Sequence, residues 1–198
     1  NMKKTMTIVL CMCLVTAFTL REQQQYEDVT ITTDIYTVLY SQEYEQPLRL
    51  DYIVQCPGGG VSRKGLDFYG VDSVKTSNND DYRNNVWDKG HLAPAADFNC
   101  SREMLKKTFS YLNCALQHEG LNRGPWRFLE EYERELALEN DTVKVSVIVH
   151  FDNDTVLPTG AKIPSDFTKI IIVNNDTLTY KFPNKNVRGK KWEEFQVK

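Results

Sequence analysis

The sequence is poor in histidine and cysteine, has no excess of either charge, and past residue 20 contains no long apolar run. Only three histidines occur, His91, His118 and His150, and they fall in unrelated segments. That argues against a zinc hydrolase built on clustered His and Cys ligands. A net charge of -3, from 24 Lys and Arg against 27 Asp and Glu, excludes a generally polybasic nucleic-acid coat. It leaves room for an enzyme that grips phosphates at one local site. Charged residues at 26% and a mean hydropathy of -0.48 exclude a polytopic membrane protein. Aromatic residues reach 11%, too many for a disordered chain. The glycine run Pro57-Gly58-Gly59-Gly60 lacks the Gly-Lys-Ser/Thr ending of a phosphate-binding loop and reads as a plain turn. There is no internal repeat, and 198 residues suffice for one domain with a real core.

The first twenty residues differ from everything after them. Lys3 and Lys4 follow Met2, and no charge occurs from Thr7 to Leu20. A basic start and an apolar run of roughly 14 residues is the layout of a secretory signal, too short for a comfortable membrane span. We therefore expect residues 1–20 to be a signal peptide, 21–28 a flexible lead-in and 29–198 the folded domain. The protein would be secreted or periplasmic, with no stable membrane association after processing. The competing reading makes the N-terminal segment a buried strand or helix. Without that segment three cysteines remain, Cys56, Cys100 and Cys114. An odd number defines no disulfide framework. Cys100 and Cys114 could bridge in an oxidising compartment, but three small buried thiols is the favoured expectation.

Alternation of apolar residues predicts strands over Val29–Tyr40 and Leu48–Val54, with Gln46-Pro47 as a break. Further strands are expected at Val143–His150, Lys169–Val173 and Leu178–Phe182, joined by Asn/Asp-rich turns. Residues 76–85, rich in Asn and Asp, read as exposed loop. Ser101 is placed to cap a short helix through Met104, Leu105 and Thr108. The clearest helix begins at Gly124-Pro125 and carries Trp126, Leu129, Tyr132 and Leu136 on one stripe, with charged residues elsewhere to about Leu138. Asn99, Asn140, Asn153 and Asn175 head glycosylation sequons, but Asn at strand junctions is explained by turn chemistry. The pattern predicts one mixed α/β domain.

One stretch concentrates chemistry: Trp87-Asp88-Lys89-Gly90-His91-Leu92-Ala93-Pro94-Ala95-Ala96-Asp97. Asn113 follows, and then Leu121-Asn122-Arg123-Gly124-Pro125-Trp126 leads into the amphipathic helix. Asn122 stands just before that helix, Glu130 about two turns further and Arg134 one more, so all three can share a face. On spacing alone, a helix cap and an ordinary Glu130–Arg134 ion pair would account for them. His118 reads as a loop or surface residue and His150 as a strand-end residue.

Taken together these blocks resemble the DNA/RNA non-specific endonucleases, the ββα-metal (His-Me finger) nucleases. Their hallmark is Asp-Arg-Gly-His with Leu-Ala-Pro-Ala-x-Asp, then Ser-Asn-x-x-Pro-Gln, then Leu-Asn-x-Gly-x-Trp-x-x-Leu-Glu-x-x-x-Arg. The third block is complete from Leu121 to Arg134, and the first is complete except that Lys89 replaces Arg. In the second, Leu112 and Leu116 replace Ser and Pro, while Asn113 and Gln117 remain. Weaker similarity runs from about Tyr36 to Tyr52 and reaches Lys169.

The resemblance implies an α+β fold with a central antiparallel sheet and a ββα-metal finger, residues 29–198 forming the endonuclease domain. It implies His91 as general base and Asn122 as the one direct protein ligand of a single Mg²⁺ (or Mn²⁺) per site. Glu130 would support the water around that ion, and Asn113 would help position the site. Arg134, Arg63 and Lys89 would grip the substrate, Arg63 as a loose match. The substrate would be DNA and/or RNA. An imidazole near its ordinary pKa suits base catalysis at neutral pH, and an amide oxygen suits a hard, hydrated cation. Asp88 receives no role at this level. The alternative is a non-catalytic extracellular nucleic-acid-binding or interaction protein that retains the fold.

Overall fold

Along Val143–His150 every second residue (Val143, Val145, Val147, Val149) is buried, and the residues between them face outward. This is the two-residue period of a sheet packed on one face. The computed structural model describes residues 26–197, so the expected signal segment and most of the lead-in lie outside the described residues. In chain order the strands are β1 (Val29–Thr32), β2 (Tyr36–Ser41), β3 (Gln46–Ile53), β4 (Trp87–His91), β5 (Cys114–His118), β6 (Val143–His150), β7 (Asp166–Val173), β8 (Asp176–Pro183) and β9 (Gln196–Val197). The helices are α1 (Arg102–Lys107), the single turn α2 (Glu119–Leu121) and α3 (Arg127–Glu139).

Seven strands form one antiparallel sheet in the order β1-β2-β3-β6-β7-β8-β9, and β4 pairs with β5 in a separate ribbon. The fold is thus α+β with a central antiparallel sheet. The ribbon followed by α2 and α3 is the expected ββα finger. The sheet's packed face meets Leu92, Leu112, Leu121, Trp126 and Leu129 in one core, which seats the finger against the sheet. Ser101 caps α1 as expected, its Oγ accepting from the Met104 N–H at 3.1 Å. β7 and β8 are joined at Asn174, whose φ of 54° is a conformation Asn tolerates well.

Several expectations are corrected. The stretch Val29–Tyr40 is two strands, because the Thr33 hydroxyl accepts from the N–H groups of Ile35 and Tyr36 and turns the chain between them. Gln46-Pro47 does not break β3. The register of β2 on β3 shifts between Leu39 and Tyr40, and Pro47 stands opposite Tyr40 at that irregularity. A bulge tolerates a residue with no N–H to donate. Gln46 then accepts from the Leu116 N–H at 2.9 Å and links the sheet to the ribbon. Residues 76–85 are not simply exposed: Asn78 caps a 3₁₀ turn (Asn79–Tyr82) that buries Asp81, and Ser77 is buried beside it.

Trp126, just ahead of α3, and Leu129 within it enter the core as the stripe predicts, but Glu133 on its supposed charged side is also fully buried. Its carboxylate accepts from Lys169 Nζ at 2.6 Å and from the Tyr52 hydroxyl at 2.7 Å. The long-range pairing that supplies those partners is invisible to helical periodicity.

The expectation of three free thiols is also overturned. Cys56 and Cys100 form a disulfide across 44 residues, while Cys114 is buried and free. The reason lies in the backbone: Cys56 N–H donates to the Asp97 carbonyl at 2.8 Å and Val61 N–H to that of Asn99 at 3.0 Å. These bonds lay the loop after β3 along the Asp97–Cys100 turn. Cys114 stands opposite His91 in the ribbon, away from both. We expect reduction of this bond to cost about 2–4 kcal/mol of stability, from the loop entropy returned to the unfolded chain. Urea unfolding with and without dithiothreitol measures it, and coincident curves would refute the pairing.

Candidate active site

The β4–β5 ribbon sets His91. In its register Asp88 stands opposite Gln117, and His91 opposite Cys114. A Cβ on Gly90 would lie 2.5 Å from Gln117 Oε1, so only glycine allows this approach. Asn113, fully buried, clamps the strand end: its Oδ1 accepts from the Ala93 N–H at 2.7 Å, and its Nδ2 donates to the carbonyls of Ala93 and Thr108 at 2.9 Å each. Asn113 therefore acts behind the site and faces none of its space.

The His91 ring lies 4.9 Å from the Phe68 ring centroid and 5.1 Å, edge-on, from that of Phe109. Its Nε2 is buried with no hydrogen-bond partner among the described residues. Burial, reinforced by the Arg63 charge, pushes the imidazole down from 6.5 to about 3. The ring is thus neutral at any physiological pH. Arg63 lies with its guanidinium 5.7 Å from the Phe109 ring centroid.

Asn122 reaches the site through an irregular piece of helix. The expected start at Gly124-Pro125 is too late: α2 passes directly into a wide π-type turn (Asn122–Trp126), kinked at Gly124, and then into α3. His118 is no bystander here, since its Nδ1 accepts from the Gly120 N–H at 2.9 Å and caps α2. Asn122 Nδ2 donates to Asp88 Oδ2 at 2.8 Å, which leaves its carbonyl oxygen available as a ligand. Asp88 is held in turn by Arg123, whose Nε and Nη2 donate to its two oxygens at 2.8 and 2.6 Å. Asp88 thus orients Asn122, a role that sequence spacing left blank.

Beneath lie the charges of α3. Arg134 donates to Asp97 Oδ1 at 2.9 Å, and Asp97 is fully buried. Burial and the nearby Glu133 push Asp97 up to about 7, with Arg134 opposing. Glu130 is pushed up to about 8, first by its enclosure, with Lys169 opposing and Glu133 and Asp97 adding to the rise. An enclosed carboxyl of this kind is short of positive charge, and a cation beside it would offset the cost of ionising it.

His91, Asn122, Glu130, Arg134, Arg63 and Lys89 all line one cleft of about 780 Å³. The structure therefore gathers every expected site residue but Asn113 around a single space. Arg127 and Glu131 line it as well, without a motif to flag them. Phe68 and Phe109 were also missed, because nothing in the local sequence ties either to His91. Among the described residues no group of three or more His, Cys, Asp and Glu could hold a metal. The donor set instead offers an amide oxygen and one carboxylate, hard oxygen donors that fit a cation retaining most of its own water.

The fold has solved counterparts. A chain of the EndoG/EndoGI complex superposes with a TM-score of 0.79 at 22% identity, covering 87% of this chain and 81% of that one. In sequence, the chain is 38% identical to mitochondrial endonuclease G of Bos taurus over 90 residues, which is 44% of this chain and 30% of that protein. It is 29% identical to Nuclease C1 of Cunninghamella echinulata var. echinulata over 145 residues, 63% of this chain and 56% of that protein. The matched stretch thus spans less than a third of the endonuclease G and little more than half of Nuclease C1. Residues 18–198 match the sequence profile described as DNA/RNA non-specific endonuclease, and the chain belongs to that family.

Proposed function

We propose that this protein is a metal-dependent, sequence-non-specific endonuclease that hydrolyses phosphodiester bonds of DNA and/or RNA. The observation that carries the reading is the convergence of a neutral imidazole, an oriented amide oxygen and several guanidinium groups on one cleft. His91 takes a proton from the attacking water as its oxygen bonds to phosphorus. The bond from phosphorus to the 3′ oxygen breaks, and that oxygen collects a proton from solvent. The products are a 5′-phosphate and a 3′-hydroxyl.

Asn122, with Glu130 close by, would hold one Mg²⁺ (or Mn²⁺), which when bound supplies charge neutralisation at the phosphate and the leaving oxygen. Asp88 keeps the Asn122 amide turned for that purpose. Asn113 fixes the end of β4, so the imidazole keeps its place. Arg63 and Arg134 attract phosphate oxygens, and Asp97 holds the Arg134 guanidinium at the cleft wall. The alternative of a non-catalytic binding protein gives no account of an unpartnered imidazole nitrogen and an enclosed carboxyl in the same cleft.

We also assign residues 1–20 to a secretory signal and 29–198 to the nuclease domain, secreted or periplasmic. The Cys56–Cys100 bond supports export, since such bonds persist in oxidising compartments. N-terminal sequencing of protein from its native host should find a start near residue 21; a cytoplasmic form still carrying Met2 would overturn the assignment.

Purified protein should degrade plasmid DNA, RNA or both with Mg²⁺ and stop on chelation; activity that survives complete chelation would falsify the reading. His91→Ala should slow turnover about 10²–10⁴-fold, the range a positioned base supplies, at any metal concentration. Asn122→Ala should shift the dependence on Mg²⁺ to higher concentration, and an unshifted curve in a folded variant sinks the ligand assignment.

The imidazole also makes stability depend on pH. Its folded pKa of about 3 lies below the unfolded value of 6.5, so the neutral ring's contribution is full above pH 6.5 and is lost as pH falls toward 3. Across that window the native protein should lose up to about 1.4 kcal/mol per pH unit more than His91→Ala does. Urea unfolding in EDTA at pH 7 and pH 4 compares them, and parallel losses would show that the ring is not held neutral.

A further inference from the structure

Lys89 stands where the family carries arginine, yet its ammonium is not free to meet a phosphate. Nζ lies 3.3 Å from Asp67 Oδ1 and donates to Asn79 Oδ1. It also rests 5.3, 5.5 and 6.0 Å from the ring centroids of Phe68, Tyr111 and Tyr82. Only 23% of the side chain is exposed. Two oxygens and three aromatic faces thus surround a compact point charge, an arrangement suited to ammonium and poorly matched to a planar fork.

The partners matter as much as the charge. Asn79 Oδ1 also accepts from the Tyr111 hydroxyl at 2.8 Å, and Asp67 Oδ1 accepts from the Phe68 N–H at 2.8 Å. Phe68 packs 4.9 Å from the His91 ring and 5.3 Å from Phe109, over which Arg63 lies. One ammonium therefore joins β4, the turn at Asn79 and the segment from Arg63 to Phe68 that walls in the imidazole.

We propose that Lys89 is a positioning residue: it latches the Arg63–Phe68 segment onto β4, holding Phe68 and Arg63 around His91, and does not grip the substrate. The proposal rests on the nuclease reading for its kinetic consequence but not for the latch itself. Asn79 lies outside the cleft lining, so it can influence turnover only through what it holds.

The test compares Lys89→Met, Asn79→Ala and the double variant, on plasmid DNA with Mg²⁺ and by amide hydrogen exchange without substrate. A misplaced wall should lower kcat about ten- to a hundredfold in Lys89→Met and in the same direction in Asn79→Ala. KM should stay within about twofold and the salt dependence of binding should be unchanged, because no phosphate contact is lost. The double variant should be no slower than Lys89→Met, and exchange over residues 63–70 should quicken in all three. A higher KM with a salt slope reduced by about one in Lys89→Met alone is the mark of a phosphate contact and would overturn the proposal. So would unchanged exchange in a folded Asn79→Ala protein. If the chain proves to have no nuclease activity, the exchange result still decides whether the latch exists.

Discussion

The buried contact between Glu133 and Lys169 ties helix α3 to the central sheet, and the cleft depends on where α3 lies. Both side chains are fully buried, with 2.6 Å between their charged atoms. Burying two charges costs several kcal/mol each, and their attraction offsets this only when the remaining hydrogen-bonding positions are filled. Tyr52 fills one from β3, and the Trp126 ring, 4.2 Å from Lys169 Nζ, covers the ammonium. A hydrophobic pair would hold the layers together about as well. The charges add direction, since a carboxylate with two fixed donors rotates far less freely than a leucine. That sets the azimuth of α3, and with it the side on which Glu130 and Arg134 emerge.

The rest of the site is a chain of such orientations. Glu133 fixes α3; Asp97 then fixes Arg134 and, through its backbone carbonyl, holds the loop that ends in the Cys56–Cys100 bridge. On the other wall Asn113 fixes the end of β4, and Asp88 fixes Asn122. Asn113, Asp88 and Glu133 are satisfied by neighbours, whereas His91 Nε2, Asp97 Oδ2 and both amide atoms of Gln117 are buried without a hydrogen-bond partner among the described residues. Of these, only the His91 nitrogen belongs to a residue lining the cleft, where the proposed chemistry needs a proton acceptor.

The burial that serves geometry also sets charge states. The same enclosure lowers His91 and raises Glu130, because a low-dielectric setting disfavours either charged form. A neutral imidazole is the form that can accept a proton. The raised carboxyl becomes easier to ionise when a cation or a guanidinium approaches. The two shifts therefore have one cause and opposite signs, and the ring's lowered basicity departs from the near-ordinary pKa expected from the sequence.

The strands at Val143–His150 and its neighbours, the Ser101 cap, the apolar stripe of α3 and the three ordered blocks of the site are all legible in the residues alone. Those are local properties: period, capping chemistry and spacing act within a few residues. That Pro47 sits in a strand, that Cys56 pairs with Cys100, that Glu133 is internal, and that Phe68 and Phe109 enclose His91 all follow from packing. Each of these rests on a partner beyond the reach of local periodicity, from Tyr40 opposite Pro47 to Lys169 beside Glu133, and burial or ionisation is a property of the pair. The same holds for Asp88 and Lys89, whose side chains are read correctly only with Asn122, or with Asp67 and Asn79, beside them. A motif names the residues that meet, but the packing that brings them together determines which of them face the cleft and which hold the others in place.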